Sequence, residues 1–349
     1  MNNSLTDVAG FLVGHAAVPG PNALSGTTVV LAPPGGAVAA VAVRGGGPGT
    51  RETDALDPRN VVERIDAVVL TGGSAYGLDA AAGVMAWLEE QQRGVRVGPE
   101  PHHVVPVVPA ACLFDLGRGG DWRARPDAAV GRAAVEAAAS AGSDVAEGNV
   151  GAGTGAVVGG LKGGVGTASV TLASGATVAA LAVVNAVGSP IDPHNGALYG
   201  EYGHVTGQQL PSPERHLAAR ARLDAVRTGM PPLNTTLAVV ATDARLTRPQ
   251  AQKLAGTSHD GLARAIRPVH LMHDGDTIFA LATGSHDSGP DGPGRPDRTD
   301  RALGPEELNH VLAAGADVVA RAIVRGVRAA GSVEGPGGTF PSYGDLYGS

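Results

Sequence analysis

The segment from residue 167 to 187, TASVTLASGATVAALAVVNAV, constrains the fold more than any other part of the chain. It consists of two apolar arms joined at Ser174-Gly175, a pair of turn residues that predicts a β-hairpin. Both arms are apolar enough to lie in the interior of a sheet. Because the strands of a hairpin are antiparallel, a purely parallel, doubly wound sheet does not fit this sequence.

Strand and helix patterns alternate along the rest of the chain. A β-branched run from Asp66 to Thr71 ends in Gly72-Gly73 and leads into a segment with helical spacing that Gly94 closes. Further patterns predict helices at about 126–141, 248–265 and 305–329, and strands at 235–242 and 276–283. Residues 205–232 predict a short surface helix between exposed connections, while 285–300 and 331–349 read as solvated loops. Together they predict a layered α/β fold with a mixed or antiparallel sheet.

Composition and charge exclude several classes of protein. The net charge of -7 offers no basic surface for phosphates, so a nucleic-acid partner is not expected. Cys112, the single cysteine, has no disulfide partner within the chain. Residues 1–16 lack the pattern of a secretory signal, and no apolar run favours a membrane helix over a strand pair. We therefore expect a cytoplasmic protein that contacts no membrane.

Cofactor and metal motifs are weak in this sequence. Gly151, Gly153 and Gly155 have the spacing of a dinucleotide fingerprint, but no acidic residue occurs from 161 through 191 to bind a ribose. Tight packing, or approach of the backbone to a substrate, explains them better. The 11 histidines form no HExxH motif, so we expect neither a metal nor a cofactor. Ser74 misses the GxSxG pattern by one position and is interpreted as a helix N-cap.

The stretch PPLNTTLAVV, residues 231–240, places three polar residues at the start of a strongly apolar strand. A turn followed by a strand is one interpretation. The other is self-cleavage before Thr235, which makes this threonine the first residue of a new chain. Its α-amino group, with a pKa of about 7.7 to 8.0, then serves as the base that a threonine nucleophile needs. Pro231 and Pro232 restrict the approach to the scissile bond and help to strain it.

Long motifs resemble one family of self-processing peptidases. They include TGGSAYGLDAAAGVMAWLEE, VPAACLFDLGRGGDWRARPDA, GNVGAGTGAVVGG, KGGVGTASV and the segment that begins LNTTLAVVATDARLTRPQ. From about residue 8 to 330 the chain resembles the group that contains L-aminopeptidase/D-esterase, β-peptidyl aminopeptidase and nylon-oligomer hydrolase. The resemblance implies a four-layer αββα sandwich, similar to N-terminal-nucleophile hydrolases but with different strand connectivity. It also implies one catalytic domain, cleaved into an α subunit (1–234) and a β subunit (235–349) that assemble into homo-oligomers, often tetramers.

The same resemblance assigns roles to residues of this chain. It places cleavage between Asn234 and Thr235 and makes Thr235 the nucleophile. It implies that the Asn185 side chain helps to hold the oxyanion, and that Asp274 and Asp276 contact the nucleophile and its amine. For the two aspartates, an exposed surface turn is the alternative. Aspartate at both positions is closer to the nylon-oligomer hydrolases, since the other branches resemble Ser followed by Glu.

Four further residues are candidates for the substrate pocket. Phe114 stands where some family members have a pocket tyrosine. Lys162 belongs to the KGGVG motif, although the nylon-oligomer branch places its lysine nearer Gly160. Tyr76 and Gly73 are also candidates, with helix packing as the alternative explanation for Tyr76.

The function implied is amide hydrolysis through an acyl-enzyme on Thr235. The resemblance allows N-terminal residues of peptides, β-amino acids or linear polyamide oligomers as substrates. Two alternatives remain open: transfer of the acyl group to an amine at the same site, and an unprocessed, oligomeric binding protein.

Overall fold

The computed structural model describes residues 2–202, 210–226, 234–286 and 303–348. In chain order the strands are β1 Leu12–Ala17, β2 Gly26–Leu31, β3 Ala37–Val43, β4 Thr50–Arg51, β5 Arg64–Ile65, β6 Ala67–Thr71, β7 Val95–Arg96, β8 Val104–Val105, β9 Ala110–Cys112, β10 Val157–Val158, β11 Leu161–Lys162, β12 Val165–Thr171, β13 Thr177–Val183, β14 Leu237–Thr242, β15 Thr277–Ala282, β16 Val333–Gly335 and β17 Gly338–Phe340. The α-helices are α1 Ser74–Gly77, α2 Ala80–Glu90, α3 Ala128–Ser140, α4 Pro213–Val226, α5 Arg248–Ala265, α6 Pro305–Ala329 and α7 Tyr343–Tyr347. Short 3₁₀ turns occur at Leu5–Asp7, Thr53–Leu56, Gly151–Gly153 and Tyr199–Glu201.

Two mixed sheets form the centre of the molecule. The first has five strands in the order β1-β2-β6-β9-β4, and the second has six in the order β12-β13-β14-β15-β3-β5. One neighbouring pair in each sheet is parallel, β6 with β9 and β14 with β15, and the other pairs are antiparallel. The prediction of a mixed sheet is confirmed.

Helices cover the outer faces of both sheets, which gives four layers. Helices α2 and α3 pack on the first sheet, whereas α5 and α6 pack on the second. Successive residues of β14 show how one strand serves two layers. Val239 belongs to the core between the sheets with Phe279 and Leu181, while Val240 belongs to the core under α5 and α6. The αββα sandwich implied by the resemblance is present.

The hairpin predicted at Ser174-Gly175 is confirmed, with β12 paired to β13 from Val165↔Val183 to Thr171↔Thr177. Only β13 is central, because β12 lies at the edge of its sheet. Helix α6 packs closely against this edge strand. A Cβ atom on Gly166 would lie 2.1 Å from the carbonyl oxygen of Ala322, so the close packing of helix and strand requires glycine here.

The predicted helices 248–265 and 305–329 match α5 and α6 in the structure. The prediction of a solvated loop at 331–349 is wrong, because β16, β17 and α7 lie there. Tyr343 and Tyr347 are buried and stack with their ring centroids 4.8 Å apart, and Tyr347 shares a 3.0 Å hydrogen bond with His216 of α4. Two tyrosines thus anchor a segment that is otherwise glycine-rich and polar. Much of the predicted loop at 285–300, and parts of 205–232, lie outside the described residues.

One fully buried histidine makes the fold sensitive to acid. The ring of His259 in α5 hydrogen-bonds through Nε2 to the carbonyl oxygen of Ala42, at 3.0 Å. Burial lowers the pKa of His259 to about 4. The unfolded chain therefore takes up a proton below about pH 6.5, whereas the folded chain does so only near pH 4. The stability from this residue is complete above pH 6.5 and is lost as the pH falls towards 4.

We expect His259→Gln to weaken this pH dependence, because glutamine retains a donor for Ala42 but does not titrate. Urea unfolding should show that the wild type loses about 2 kcal/mol more than the variant between pH 7 and pH 5. His194→Gln is the matched control, since His194 is exposed and should leave the wild-type pH dependence unchanged. An equal pH dependence in His259→Gln and the wild type would contradict the prediction.

Candidate active site

Residues 234–236 enter the second sheet by pairing with residues 273–277. Asn234 N donates to the carbonyl oxygen of His273 at 3.2 Å, and Thr277 N donates to that of Thr236 at 3.1 Å. Between these two bonds, Gly275 N donates to the carbonyl oxygen of Asn234, also at 3.2 Å. The carbonyl group of the predicted scissile bond is therefore already polarised by a backbone N–H group.

The side chain of Thr235 lies against the same glycine. Thr235 is 5% exposed, and a Cβ atom on Gly275 would lie only 2.6 Å from its hydroxyl oxygen. That Cβ would also lie 2.8 Å from the carbonyl oxygen of Gly47. Glycine is thus needed at 275, because its backbone lies close to both the Thr235 hydroxyl group and the backbone of Gly47.

Asn185, just after β13, supplies a buried amide. Its Oδ1 accepts hydrogen bonds from Val157 N at 2.9 Å and from Arg118 Nη1 at 2.6 Å. Its backbone carbonyl accepts one from the Thr236 hydroxyl at 3.2 Å. Among the described residues, Asn185 Nδ2 has no hydrogen-bond partner. A buried donor without a partner costs stability, and the role of this amide in holding an oxyanion stays a prediction.

Asp276 is fully buried and holds the start of the strand. Its Oδ1 accepts a 2.8 Å hydrogen bond from Thr236 N. Its Oδ2 accepts two from His270, at 2.8 Å from Nδ1 and 3.2 Å from the backbone N. The alternative that this position is an exposed surface turn is wrong.

Asp274 is buried as well, beside the backbone of Asn234 with which it forms a parallel bridge. Its carboxyl group accepts hydrogen bonds from Leu271 N at 2.9 Å and, more weakly, from Val187 N at 3.4 Å. Burial raises the pKa of Asp274, and the nearby charge of Asp276 raises it further. A carboxylate with a raised pKa is a stronger base than an ordinary one.

Arg118 connects the two asparagines and was not predicted. Its Nη1 donates to Asn185 Oδ1 at 2.6 Å and to the carbonyl oxygen of Gly155 at 2.7 Å. Its Nη2 donates to Asn234 Oδ1 at 2.7 Å. In the sequence, Arg118 lies in a glycine-rich turn, LGRGG. Nothing in that turn indicates contacts with Asn185 and Asn234, which lie 67 and 116 positions further along the chain.

Lys162 is fully buried behind this cluster. Its Nζ donates to the carbonyl oxygens of Gly153, Ala156 and Gly163 at 2.6–3.0 Å. Burial, followed by the charge of Arg118, lowers the pKa of Lys162 to about 7. The contacts show Lys162 holding the 153–163 loop, whose Val157 N supports Asn185, and its role towards a substrate stays a prediction.

The remaining pocket candidates lie around the 114–118 segment. Gly73 N donates to Asp115 Oδ1 at 2.7 Å, and burial raises the pKa of Asp115 to about 6. Phe114 is half-buried, with its ring 6.1 Å from that of Trp122. A lining role for Gly73 and Phe114 stays a prediction.

Tyr76 and Ser74 follow Gly73 in the short helix α1. Tyr76 is 57% exposed beneath the guanidinium of Arg125, so its ring does not pack inside a helix bundle, and its place in the pocket also stays a prediction. The N-cap of α1 is Gly73, with φ of 78°, and it is not Ser74 as the sequence suggested.

The part of the chain that the structure describes contains neither a cluster of metal-binding residues nor a membrane-spanning helix. No group of three or more His, Cys, Asp or Glu residues there could hold a metal ion. No helix in the same ranges is both long and apolar enough to cross a membrane.

Comparison with known proteins identifies the family. The model of peptidase family S58 matches residues 3–340. The chain belongs to peptidase family S58. An uncharacterized aminopeptidase of Mycobacterium tuberculosis is 49% identical over an alignment of 359 positions, which covers 99% of this chain and 98% of that protein. The 6-aminohexanoate-oligomer endohydrolase of a Kocuria species is 32% identical over 266 residues, 74% of this chain and 69% of that enzyme.

Solved structures agree with the S58 assignment. A Burkholderia β-aminopeptidase superposes with a TM-score of 0.71 and 25% identity, covering 98% of this chain and 91% of that one. The L-aminopeptidase D-Ala-esterase/amidase of Ochrobactrum anthropi superposes with a TM-score of 0.69 and 22% identity, covering 98% of this chain and 91% of that one. Its structure is described as a new variant among the N-terminal-nucleophile hydrolase fold. This S58 chain therefore has that fold, and it is a peptidase.

We expect Gly275→Ala to lower peptidase activity about 100-fold while leaving the overall fold intact. The added methyl group would collide with the Thr235 hydroxyl and displace it, and a misplacement of about 1 Å can cost roughly 100-fold in rate. Activity on peptide substrates, with circular dichroism to confirm folding, measures the effect. Gly256→Ala is the control, because a Cβ there meets no described atom within 4 Å. Near-normal activity in Gly275→Ala would show that the space beside Thr235 is not needed.

Lys162→Ala should destabilise the protein strongly. It leaves three buried carbonyl groups without their donor and opens a cavity, which together cost about 3–5 kcal/mol. The free energy of unfolding in urea measures this loss. Lys253→Ala is the matched control, because Lys253 is exposed and its replacement should change stability by less than about 0.5 kcal/mol. Equal, small losses in both variants would contradict a structural role for Lys162.

Proposed function

We propose that this peptidase is activated by cleavage of its own chain between Asn234 and Thr235, and that Thr235 is the nucleophile. The observation that carries the proposal is the hydrogen bond from Gly275 N to the carbonyl oxygen of Asn234, at 3.2 Å. It polarises that carbonyl group beside a buried threonine hydroxyl. Such a donor stabilises the negative charge that develops when the hydroxyl oxygen attacks.

Cleavage begins with attack of Thr235 Oγ1 on the carbonyl carbon of Asn234. The tetrahedral intermediate places its negative oxygen on Gly275 N–H, and the bond from that carbon to the nitrogen of Thr235 then breaks. The nitrogen takes up a proton and an ester remains. Water hydrolyses the ester, which releases the carboxylate of Asn234 and restores the hydroxyl of Thr235, now beside a free α-amino group.

Asp274 is the base that we propose for the first attack. The nitrogen of Thr235 is still an amide at this stage and cannot accept the hydroxyl proton. Asp274 pairs with Asn234 through the backbone, and its pKa is raised by burial. A carboxylate with a raised pKa takes up a proton more readily at neutral pH.

The processed enzyme uses the same hydroxyl on its substrate. The free α-amino group of Thr235 accepts the hydroxyl proton as Oγ1 attacks a substrate amide, and returns it to the leaving amine. The acyl-enzyme is then hydrolysed by water. Nδ2 of Asn185, which has no hydrogen-bond partner among the described residues, supplies a second donor for the oxyanion. Asp276 fixes the strand entrance through Thr236 N and so positions Thr235.

Short peptides are the proposed substrates, hydrolysed from the amino terminus. The relative in Mycobacterium tuberculosis, named an aminopeptidase, matches nearly the whole chain. Hydrolysis of linear oligoamides is the second candidate, favoured by aspartate at both 274 and 276 and by the similarity to 6-aminohexanoate-oligomer endohydrolases. Assembly of the cleaved units into a homo-oligomer, and a cytoplasmic location, stay predictions from the sequence.

We expect Thr235→Ala to abolish both cleavage and activity, because it removes the attacking oxygen. Intact-mass measurement of the wild type should show two chains, 1–234 and 235–349, whereas the variant should show one. Thr236→Val is the matched control: its hydroxyl contacts the carbonyl oxygen of Asn185, and its loss should leave the cleavage position unchanged. A single wild-type chain with full activity, or cleavage of Thr235→Ala, would refute the proposal.

A panel of aminoacyl p-nitroanilides beside 6-aminohexanoate oligomers separates the two substrate classes. Purified, fully cleaved enzyme should hydrolyse the anilides with the higher kcat/KM if it is an aminopeptidase. Faster hydrolysis of the oligomers would assign it to the second candidate.

A further inference from the structure

The side chain of Asn234 has one charged partner. Arg118 Nη2 donates to Asn234 Oδ1 at 2.7 Å, while Nη1 of the same guanidinium holds Asn185 and the carbonyl oxygen of Gly155. Arg118 forms no ion pair within 4 Å among the described residues. Nη2 of this guanidinium is therefore directed at the side chain that lies on the acyl side of the scissile bond.

Cleavage of the chain and hydrolysis of a substrate share their central groups. The same hydroxyl oxygen attacks in both reactions, and Gly275 N–H contacts the carbonyl oxygen that is attacked in the first. A substrate that presents its carbonyl group to these two groups must direct its acyl substituent as Asn234 does. The guanidinium of Arg118 then lies where the side chain of the substrate's N-terminal residue enters.

After cleavage Asn234 is no longer bonded to Thr235, and Nη2 can exchange one partner for another. An Nη2 group left without an acceptor in a largely buried place is costly, so the site favours a ligand with an acceptor oxygen. The Asn234 amide shows that a short side chain with one acceptor fits. A carboxylate of the same size adds charge to the hydrogen bond, and arginine forms a stronger hydrogen bond with a charged acceptor than with a neutral amide.

We infer that Arg118 determines specificity: it selects peptides whose N-terminal residue is aspartate or asparagine, and binds that side chain where Asn234 lies in the uncleaved chain. This inference rests on the proposed function, since it requires cleavage before Thr235. The carboxyl group of Asp274, the residue that forms a parallel bridge with Asn234, suits the ammonium group of the same substrate residue. The site thus complements both charges of an N-terminal aspartate.

The test compares the p-nitroanilides of aspartate, asparagine and leucine, which have side chains of similar size. Wild-type enzyme, shown to be cleaved at 234/235 by intact mass, should hydrolyse the aspartyl and asparaginyl compounds with kcat/KM at least roughly tenfold above the leucyl compound. Arg118→Met should bring these ratios close to one. Arg118→Lys should keep part of the aspartyl preference, because the charge remains.

The ratio within one enzyme preparation distinguishes specificity from a merely structural role. Loss of support for Asn185 would slow all three compounds together and leave the ratio unchanged. Arg132→Gln, which removes an exposed arginine of α3 paired with Glu90, is the control and should keep the wild-type ratios. If Arg118→Met does not cleave itself, the test rests on two other measurements: the order of kcat/KM values among the three compounds in the wild type, and the aspartyl-to-leucyl ratio of kcat/KM in Arg118→Lys.

Two results would overturn the inference: cleaved wild-type enzyme that hydrolyses the leucyl compound as readily as the others, or an Arg118→Met ratio equal to that of the wild type. Wild-type enzyme that is never cleaved at 234/235 would refute the proposed function. The two failures are therefore separable, because the mass measurement precedes the kinetics.

Discussion

The parallel pairing of residues 234–236 with 273–277 is the interaction on which the site depends. It extends the β14–β15 ladder backwards beyond the ends of both strands. Three backbone hydrogen bonds form this pairing. The bond to His273 fixes Asn234, the bond from Gly275 N polarises the Asn234 carbonyl group, and the bond from Thr277 N holds Thr236. Because backbone hydrogen bonds set these positions, the side chain of Thr235 needs only the gap that Gly275 leaves. A site on sheet backbone is more rigid than one on a free loop.

Buried charges support this arrangement from behind. Arg118, Lys162 and Asp115 lie in one region, and each has its pKa moved by burial, to about 10, 7 and 6 respectively. Burying ionisable groups is costly, and for Arg118 and Lys162 the cost is offset by hydrogen bonds to backbone carbonyls and to an asparagine side chain. Apolar residues in these places could not form the hydrogen bonds that orient Asn185 and Asn234. These buried charged residues therefore serve to position the Asn185 and Asn234 side chains near Thr235.

Much of the fold could be predicted from periodicity. The helices at 248–265 and 305–329 were bounded correctly because proline, glycine and apolar spacing mark them. The prediction of a loop at 331–349 is wrong because the segment is rich in glycine, which is typical of loops. Its burial depends on the stacking of Tyr343 on Tyr347 and on the hydrogen bond from Tyr347 to α4. Such contacts between distant segments leave no local periodic signal. The prediction that Ser74 is the helix N-cap is wrong because Gly73, in a left-handed conformation, turns the chain and occupies the N-cap position one residue earlier.

The sequence by itself determined the layered α/β class, the family resemblance and the candidates Thr235, Asn185, Asp274 and Asp276, because local patterns and long motifs encode them. Tertiary structure alone decided that Asp274 and Asp276 are buried and that Gly275 N–H faces the carbonyl group of Asn234. It alone joined Arg118 to Asn185 and Asn234. The reason is physical: these contacts bridge from about 40 to more than 100 residues of chain. Their geometry is set by sheet register and burial, which no local stretch of sequence contains.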